Sequence, residues 1–115
     1  MAISEKIHED VAVLHISGKL MGGNETKEVT EKVKSLLDDG INKVVMDLGK
    51  VKWMNSTGLG ALLESRKLIT EKNGTLKLAA VADKIKSLLM ITQILNQFDT
   101  YESADRALAG FKSSS

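Results

Sequence analysis

The sequence predicts an α/β fold in a single domain, with a central mixed β-sheet of four to five strands and about four helices packed mainly on one side. Segments rich in β-branched residues alternate with segments of helical periodicity, in the order ββαβαβα(β)α. Such alternation requires parallel strand pairs joined by right-handed helical crossovers. The length of 115 residues suits one domain that buries its own core.

The chain opens with a predicted β-hairpin. Residues 11–17, VAVLHIS, are typical of a strand, and residues 3–8 would pair with it antiparallel. Gly18 would end the second strand of this hairpin, and the segment from Met21 to Gly23 is expected to form a flexible loop.

A helix and a buried strand follow the loop. Asn24 is a natural N-cap for this helix, and Gly40 is its expected end. The helix is indicated by apolar residues that recur at i, i+4, i+7 and i+8: Val29, Val33, Leu36 and Leu37. Residues 43–48, KVVMDL, form a short apolar run bounded by turn signals, which is typical of a buried central strand.

The second half of the chain repeats this alternation. A second helix starts around Ser56, ends at residues 73–74 and presents a broad apolar face made of Leu59, Leu62, Leu63 and Ile69. Residues 75–81, TLKLAAV, are typical of another strand.

Two shorter helices complete the expected fold. Asp83 is the expected cap of a third helix, whose apolar residues are Ile85, Leu88 and Leu89. A brief strand near residues 97–101 precedes a last helix, which Ser103 would cap and Gly110 would end. The single domain spans residues 1–115, with a core over about 3–110 and a flexible tail at 111–115.

Composition excludes several classes of function. The chain has no cysteine, which removes disulfides and thiolate chemistry. Its net charge is +1 and neither half carries a basic patch, so a nucleic-acid interface is not indicated. No apolar run approaches the ~18 residues of a membrane span, and the acidic N-terminus does not resemble a signal peptide. We therefore expect a cytoplasmic protein that binds neither nucleic acid nor membrane.

The sequence does not indicate a metal site or a catalytic site. His8 and His15 are the only histidines, and no cluster with ligand spacing surrounds either of them. A dinucleotide fingerprint would need a third glycine where Leu63 stands. A serine hydrolase built on Ser56 would need a histidine that reaches it, and both histidines lie early, in predicted strands. We expect no cofactor, no metal and no enzymatic activity.

The stretch VKWMNSTGLG, residues 51–60, carries two hydroxyls where a strand passes into a helix. Asn55 or Ser56 can simply cap the helix, and Gly58 lets the helix start close to the sheet. A phosphate on Ser56 or Thr57 would also be stabilised at the positive helix end, and it would add a charge of roughly −2 to the surface. The residues alone favour the cap and leave a phosphorylation switch open.

Several motifs together resemble the STAS domain family, and in particular the bacterial anti-sigma factor antagonists. They are Gly18-Lys19-Leu20 after the second strand, Asp47-Leu48 closing the third strand, and M-N-S-T-G-L-G-A-L at residues 54–62. The usual family pattern has a G-E-L-D turn, a D-L-S strand end and D-S-S-G-L-G at the start of the second helix. The resemblance covers roughly residues 3–110.

This resemblance implies a non-enzymatic partner switch. Such proteins bind an anti-sigma factor that is also a serine kinase of the GHKL ATPase type, and the binding releases a sigma factor. The kinase phosphorylates the first serine of the motif, here Ser56 rather than Thr57, and a serine phosphatase resets the switch. The implied partner-binding residues are Met21, Gly22, Gly23, Asn24, Asn55, Ser56, Thr57 and Gly58.

The chain departs from the family pattern at three positions. Asn55 stands where the family usually has aspartate, and this removes a charge beside the acceptor serine. Met21 stands where the aspartate of G-E-L-D is expected, and Gly49 replaces the serine of D-L-S. The alternative reading is therefore a STAS scaffold or accessory subunit in a signalling or transporter complex, without regulatory phosphorylation. We expect a monomer, because the core should bury all of the apolar faces of the helices and leave none for a second subunit.

Overall fold

The computed structural model describes residues 2–113 and has the predicted α/β architecture. In chain order the elements are β1 (Ala2–His8), β2 (Val11–Leu20), α1 (Gly23–Asp38), β3 (Lys43–Met54), α2 (Ser56–Glu71), β4 (Thr75–Ala79), α3 (Asp83–Ile91), a 3-10 turn (Leu95–Gln97), β5 (Asp99–Tyr101) and α4 (Ala104–Ser113). No helix in this part of the chain combines the length and apolar composition needed to cross a bilayer.

The five strands form one mixed sheet in the order β1-β2-β3-β4-β5. The hairpin β1–β2 is antiparallel and the other three pairs are parallel. The carboxyl ends of β2, β3 and β4 therefore meet at one edge of the sheet, which we call the upper edge. Ligand and partner sites of α/β folds tend to lie at such an edge.

The two faces of the sheet are covered unequally, as the sequence predicts. Helices α1, α2 and α3 pack on the first face over a large aliphatic core, which includes Leu14, Val33, Met46, Leu62, Leu78 and Leu89. Helix α4 packs on the second face, where Ala107 contacts a smaller cluster of Val11, Val13, Val45 and Ala79. The core is almost entirely aliphatic because the chain offers so few aromatic residues.

Strands β2 and β3 are both longer than predicted. Gly18 does not end β2, because the strand continues to Leu20. The pairing of β2 with β3 shifts register before Ser17 and again after Gly18. Gly18 takes a φ of 97° within this irregular segment. The added residues 49–54 of β3 pair with this extension. Their inward side chains, Val51 and Met54, are almost fully buried. The upper edge therefore projects further than a strand over residues 43–48 would allow.

The predicted caps of α1 and α3 are wrong, whereas the predicted cap of α4 is confirmed. Helix α1 begins two residues earlier than expected, with Gly22 rather than Asn24 at its N-cap, and Ala82 rather than Asp83 precedes α3. Neither cap uses a side-chain hydrogen bond. Ser103 does cap α4, since its Oγ accepts from the backbone N–H of Arg106 at 3.1 Å.

Gly110 was predicted to end α4, but the helix continues to Ser113. Gly110 instead permits close packing, because a Cβ at this position would lie 2.7 Å from the hydroxyl of Tyr101. The buried Nζ of Lys77 donates to that hydroxyl at 2.9 Å and lies over the ring of Phe111. The predicted tail at 111–115 thus begins within the helix, and residues 114–115 lie outside the described residues.

Candidate functional site

The hydroxyl pair of the N-S-T-G stretch lies at the upper edge, where β3 passes into α2. Strand β3 ends at Met54, Asn55 is the N-cap of α2, and the helix begins at Ser56. Ser56 and Thr57 are exposed, whereas Gly58 is buried. The serine therefore occupies the first helical position, with its side chain accessible, as the sequence suggested.

The side chain of Asn55 joins two segments of the chain at this point. Its Oδ1 accepts from the backbone N–H of Gly58 at 3.1 Å, which is a helix cap. Its Nδ2 donates to the carbonyl oxygen of Met21 at 2.9 Å, and its backbone N–H donates to the carbonyl of Leu20 at 3.1 Å. One amide side chain thus caps α2 and also fixes the loop between β2 and α1.

The loop between β2 and α1 lies directly beside the start of α2. A Cβ placed on Gly22 would lie 3.4 Å from Cγ2 of Thr57. Gly22 and Gly23 both adopt positive φ, at 102° and 72°, which turns the chain from β2 into α1 without the steric cost of a side chain. The structure therefore brings the predicted loop and turn together: Met21, Gly22, Gly23, Asn24, Asn55, Ser56, Thr57 and Gly58.

Gly58 is the point at which α2 presses against the sheet. A Cβ on this residue would lie 2.3 Å from the carbonyl oxygen of Leu20 and 2.9 Å from the Cβ atoms of both Leu20 and Met54. Real Cβ atoms do not approach other atoms so closely, so only glycine allows this contact. This contact holds the start of α2 close to the ends of β2 and β3, and it therefore sets the position of Ser56 relative to the upper edge.

The sequence did not identify every residue around this site. Thr26 is buried in α1, and its Oγ1 accepts from the backbone N–H of Gly22 at 2.7 Å, which helps to hold the loop. A groove of about 420 Å³ runs from Thr57 between α1 and α2, and small side chains such as Thr30, Gly60 and Ala61 line it. Helical spacing could have found Gly60 and Ala61, because they follow Thr57 by one turn.

The electrostatics of the start of α2 favour a negative group. The first backbone N–H groups of a helix have no hydrogen-bond partner within the helix. In α2, which has 16 residues, the side-chain oxygen of Asn55 accepts from one of them, the N–H of Gly58. The remaining N–H groups and the helix dipole present partial positive charge at Ser56. No acidic residue stands in the first turn. A phosphate on Ser56 would therefore meet a favourable local field.

Neither histidine can act as a base for Ser56. His8 ends β1 and pairs with Val11 at the start of β2, about 30 Å of extended strand from the upper edge. His15 bonds through Nδ1 to Asp47 Oδ2 at 2.9 Å and lines a depression on the second face, whereas α2 packs on the first. Among residues 2–113, no three His, Asp or Glu side chains cluster in a way that could hold a metal ion. Neither histidine is therefore placed to activate the Ser56 hydroxyl as a nucleophile.

The double role of Asn55 can be tested by substitution. Asn55→Ala removes both the cap and the bond to Met21, so the free energy of unfolding should fall by about 1–2 kcal/mol. Asn55→Asp keeps an acceptor for Gly58 but places a carboxylate oxygen against the carbonyl of Met21. Its stability loss should be smaller, while the backbone amide of Gly22 exchanges faster with solvent. Chemical denaturation and hydrogen-exchange NMR measure the two effects. Unchanged exchange at Gly22 in both variants would show that Asn55 does not hold the loop.

Comparisons with known proteins find similarity over most of the chain. The family model described as the STAS domain matches residues 2–107. An anti-sigma F factor antagonist from Paenibacillus polymyxa is 25% identical over 113 residues, covering 94% of this chain and 92% of the relative.

Two solved structures share the fold at low identity. The phosphorylated form of the Bacillus cell fate determinant SpoIIAA superposes with a TM-score of 0.76 at 13% identity, covering 96% of this chain and 99% of the other. A sulfate transporter family protein from Wolinella succinogenes gives a TM-score of 0.74 at 20% identity, covering 93% of this chain and 88% of the other.

Proposed function

The chain belongs to the STAS domain family, and from this premise we propose that it is an anti-sigma factor antagonist controlled by phosphorylation of Ser56. It binds an anti-sigma factor that is also a serine kinase of the GHKL ATPase type, and binding releases a sigma factor. The kinase phosphorylates Ser56 and ends the complex, and a serine phosphatase restores it. The protein itself catalyses no reaction.

The observation that carries this proposal is the exposed Ser56 hydroxyl at the start of α2, beside the segment from Met21 to Asn24, which joins β2 to the first residues of α1. A kinase must reach the acceptor oxygen without unfolding its substrate, and a partner must contact the same surface for the charge to matter. Ser56 meets both conditions, because its hydroxyl is exposed at the end of a helix and lies next to a segment that the Asn55 side chain holds in place. The relative from Paenibacillus polymyxa, named as an antagonist, supports the same role.

Phosphorylation would act on the partner rather than on the fold. The phosphate adds a charge of roughly −2 to a surface whose nearest side chains, Asn55 and Thr57, are neutral. The local helix end stabilises that charge, so the free protein keeps its structure. A partner face that fits the neutral surface through apolar or acidic groups would meet an uncompensated charge, and the complex would dissociate.

The wider setting follows from the same proposal. A protein that releases a sigma factor acts in transcription regulation, and stress response is the context we propose for it. It would work in the cytoplasm, as a monomer, and without a cofactor.

Affinity purification from cells of the source organism tests the partner class. The proposal expects an anti-sigma factor with a GHKL ATPase fold to be recovered with the tagged wild-type protein and with Ser56→Ala, and to be lost with Ser56→Asp. Recovery of the same proteins by all three baits, with no ATPase-fold kinase among them, would contradict the antagonist role.

A second candidate function is a STAS scaffold or accessory subunit in a signalling or transporter complex. The structural similarity to a sulfate transporter family protein favours it. In this role Ser56 is only the first residue of α2, and phosphorylation plays no part. The same purification distinguishes the two functions, because transporter subunits would then be recovered and Ser56→Asp would not change them.

Met21 provides a separate test of the docking surface. It is an exposed large hydrophobic side chain, 49% accessible, on the loop that Asn55 fixes beside Ser56. Exposed methionines adapt well to partner surfaces and bury substantial apolar area on binding. Met21→Ala should therefore weaken the complex with the recovered kinase about tenfold in isothermal titration calorimetry.

Met90 is the matched control for this prediction. It is also exposed, at 61%, but it lies in the last turn of α3, a helix that begins at the upper edge and runs about 12 Å away from it. Met90→Ala should leave the affinity unchanged. Equal effects of the two substitutions would mean that the partner does not dock on the loop beside Ser56.

A further inference from the structure

The second face of the sheet is only half covered. Helix α4 packs mainly on β3, β4 and β5, and its smaller core reaches Val11 and Val13 at the start of β2. Among residues 2–113, no helix packs on the upper part of β1, β2 and β3 on this face. It contains a depression of about 310 Å³, and the polar side chains that line it are Ser4, Lys6, His15, Ser17, Asp47 and Lys50.

Strand register explains why these polar side chains converge. Ser4, His15 and Asp47 lie directly opposite one another on β1, β2 and β3, and form one row across the sheet. Ser17 and Lys50 are paired one step nearer the upper edge. Lys6 lies one step further from that edge on β1, opposite Val13. Lys6 shares a face with Ser4 because the two residues are two apart on β1. Lys50 is three residues beyond Asp47, and the register shift between β2 and β3 brings it to the same depression. The two lysines therefore flank the central row from opposite sides.

Asp47, the one carboxylate that lines the depression among the described residues, already has partners for both of its oxygens. Oδ2 of Asp47 bonds to His15 Nδ1 at 2.9 Å, and Oδ1 accepts from the backbone N–H of Gly49 at 3.0 Å. Within residues 2–113, neither Lys6 nor Lys50 forms an ion pair. The groups left available are therefore two ammonium groups, two hydroxyls and the second ring nitrogen of His15, which donates when the ring is protonated.

We propose that this depression is a second binding site, for a small oxyanion such as phosphate. Two cations balance the charge of the ligand, and Ser4, Ser17 and the His15 ring supply directional hydrogen bonds. Asp47 orients the His15 ring through the Nδ1 contact, as a carboxylate that supports an imidazole does in other sites. All of these residues lie on strands, so the sheet fixes their backbone positions before the ligand arrives. The site lies on the face opposite α2, and it does not depend on the proposed role of Ser56.

The test is an NMR titration of the full chain with inorganic phosphate, at constant pH and with chloride holding the ionic strength. His15 reports on the depression, and His8, at the far end of β1, is an internal control in the same spectrum. The proposal expects a saturable shift of the His15 ring resonances that His8 does not share. Lys50→Gln should weaken binding about fivefold, because one cation near the anion is lost under partial screening.

Lys67→Gln is the matched control, since Lys67 is an exposed lysine on α2, over the first face. It should bind phosphate as the wild type does. Shifts that grow without saturation, shifts of equal size at His8 and His15, or equal weakening by Lys50→Gln and Lys67→Gln would each overturn the proposal.

Discussion

Gly58→Ala is expected to lower the free energy of unfolding by about 3 kcal/mol. The added Cβ would lie 2.3 Å from the carbonyl oxygen of Leu20, and backbone atoms cannot rotate out of the way as a flexible side chain can. The start of α2 must then move off the sheet, which also shifts Asn55 and Ser56. Thermal unfolding followed by circular dichroism should show a midpoint about 10 °C below the wild type.

Gly60→Ala is the matched control in the same helix. Gly60 is exposed, and a Cβ at this position meets nothing within 4 Å. Alanine is the better helix former by about 1 kcal/mol, so this variant should be as stable as the wild type or more stable. If both variants lost stability equally, the close approach of α2 to Leu20 would not be the reason that glycine is required at 58.

Ser56→Asp is expected to weaken the complex with the anti-sigma kinase at least hundredfold. The substitution places a permanent negative charge at the start of α2, where the partner docks in the proposed complex. A mismatched charge at an interface costs several kcal/mol, and a hundredfold loss corresponds to about 2.7 kcal/mol. The variant should remain folded, because an acidic residue in the first turn suits the helix dipole. Calorimetric titration and circular dichroism separate the two effects.

Ser56→Asn separates charge from size. Asparagine has nearly the same shape as aspartate and no charge, so the neutral variant should bind within about tenfold of the wild type. Ser56→Ala should bind normally, because the hydroxyl is not the group that holds the partner. If Asn and Asp weakened binding to the same extent, bulk rather than charge would control the interface.

The sequence alone predicted the architecture because each main element carries its own strong signal. The β-branched run at residues 11–17 is typical of a strand, and the apolar periodicity of α1 and α2 is typical of helices that pack on a core. Where prediction was wrong, tertiary contacts decided the outcome. The sequence predicts that β2 ends at Gly18 and that β3 ends at Leu48, but the pairing of β2 with β3 continues both strands beyond these residues. Gly110 reads as a helix end, but the packing against Tyr101 is what requires glycine there.

The candidate site was predictable in position but not in its connections. A polar pair between a strand and a helix indicates a cap or a switch. No local pattern shows that the Asn55 amide also bonds to the carbonyl of Met21, because that contact spans 34 residues of sequence. The pairing of His15 with Asp47 was equally hidden, since neighbouring strands bring together residues 32 positions apart. Such contacts follow from strand register, which a single sequence does not specify beyond the hairpin.

Phosphorylation of the purified protein by the anti-sigma kinase recovered with it would test directly whether Ser56 is a switch. After incubation with ATP and magnesium, intact-mass measurement and peptide mapping should show one phosphate per chain, on Ser56, and size-exclusion chromatography should show the modified protein eluting apart from the kinase. A chain that remains unmodified, or a chain that carries phosphate on Ser56 and still co-elutes with the kinase, would contradict the switch.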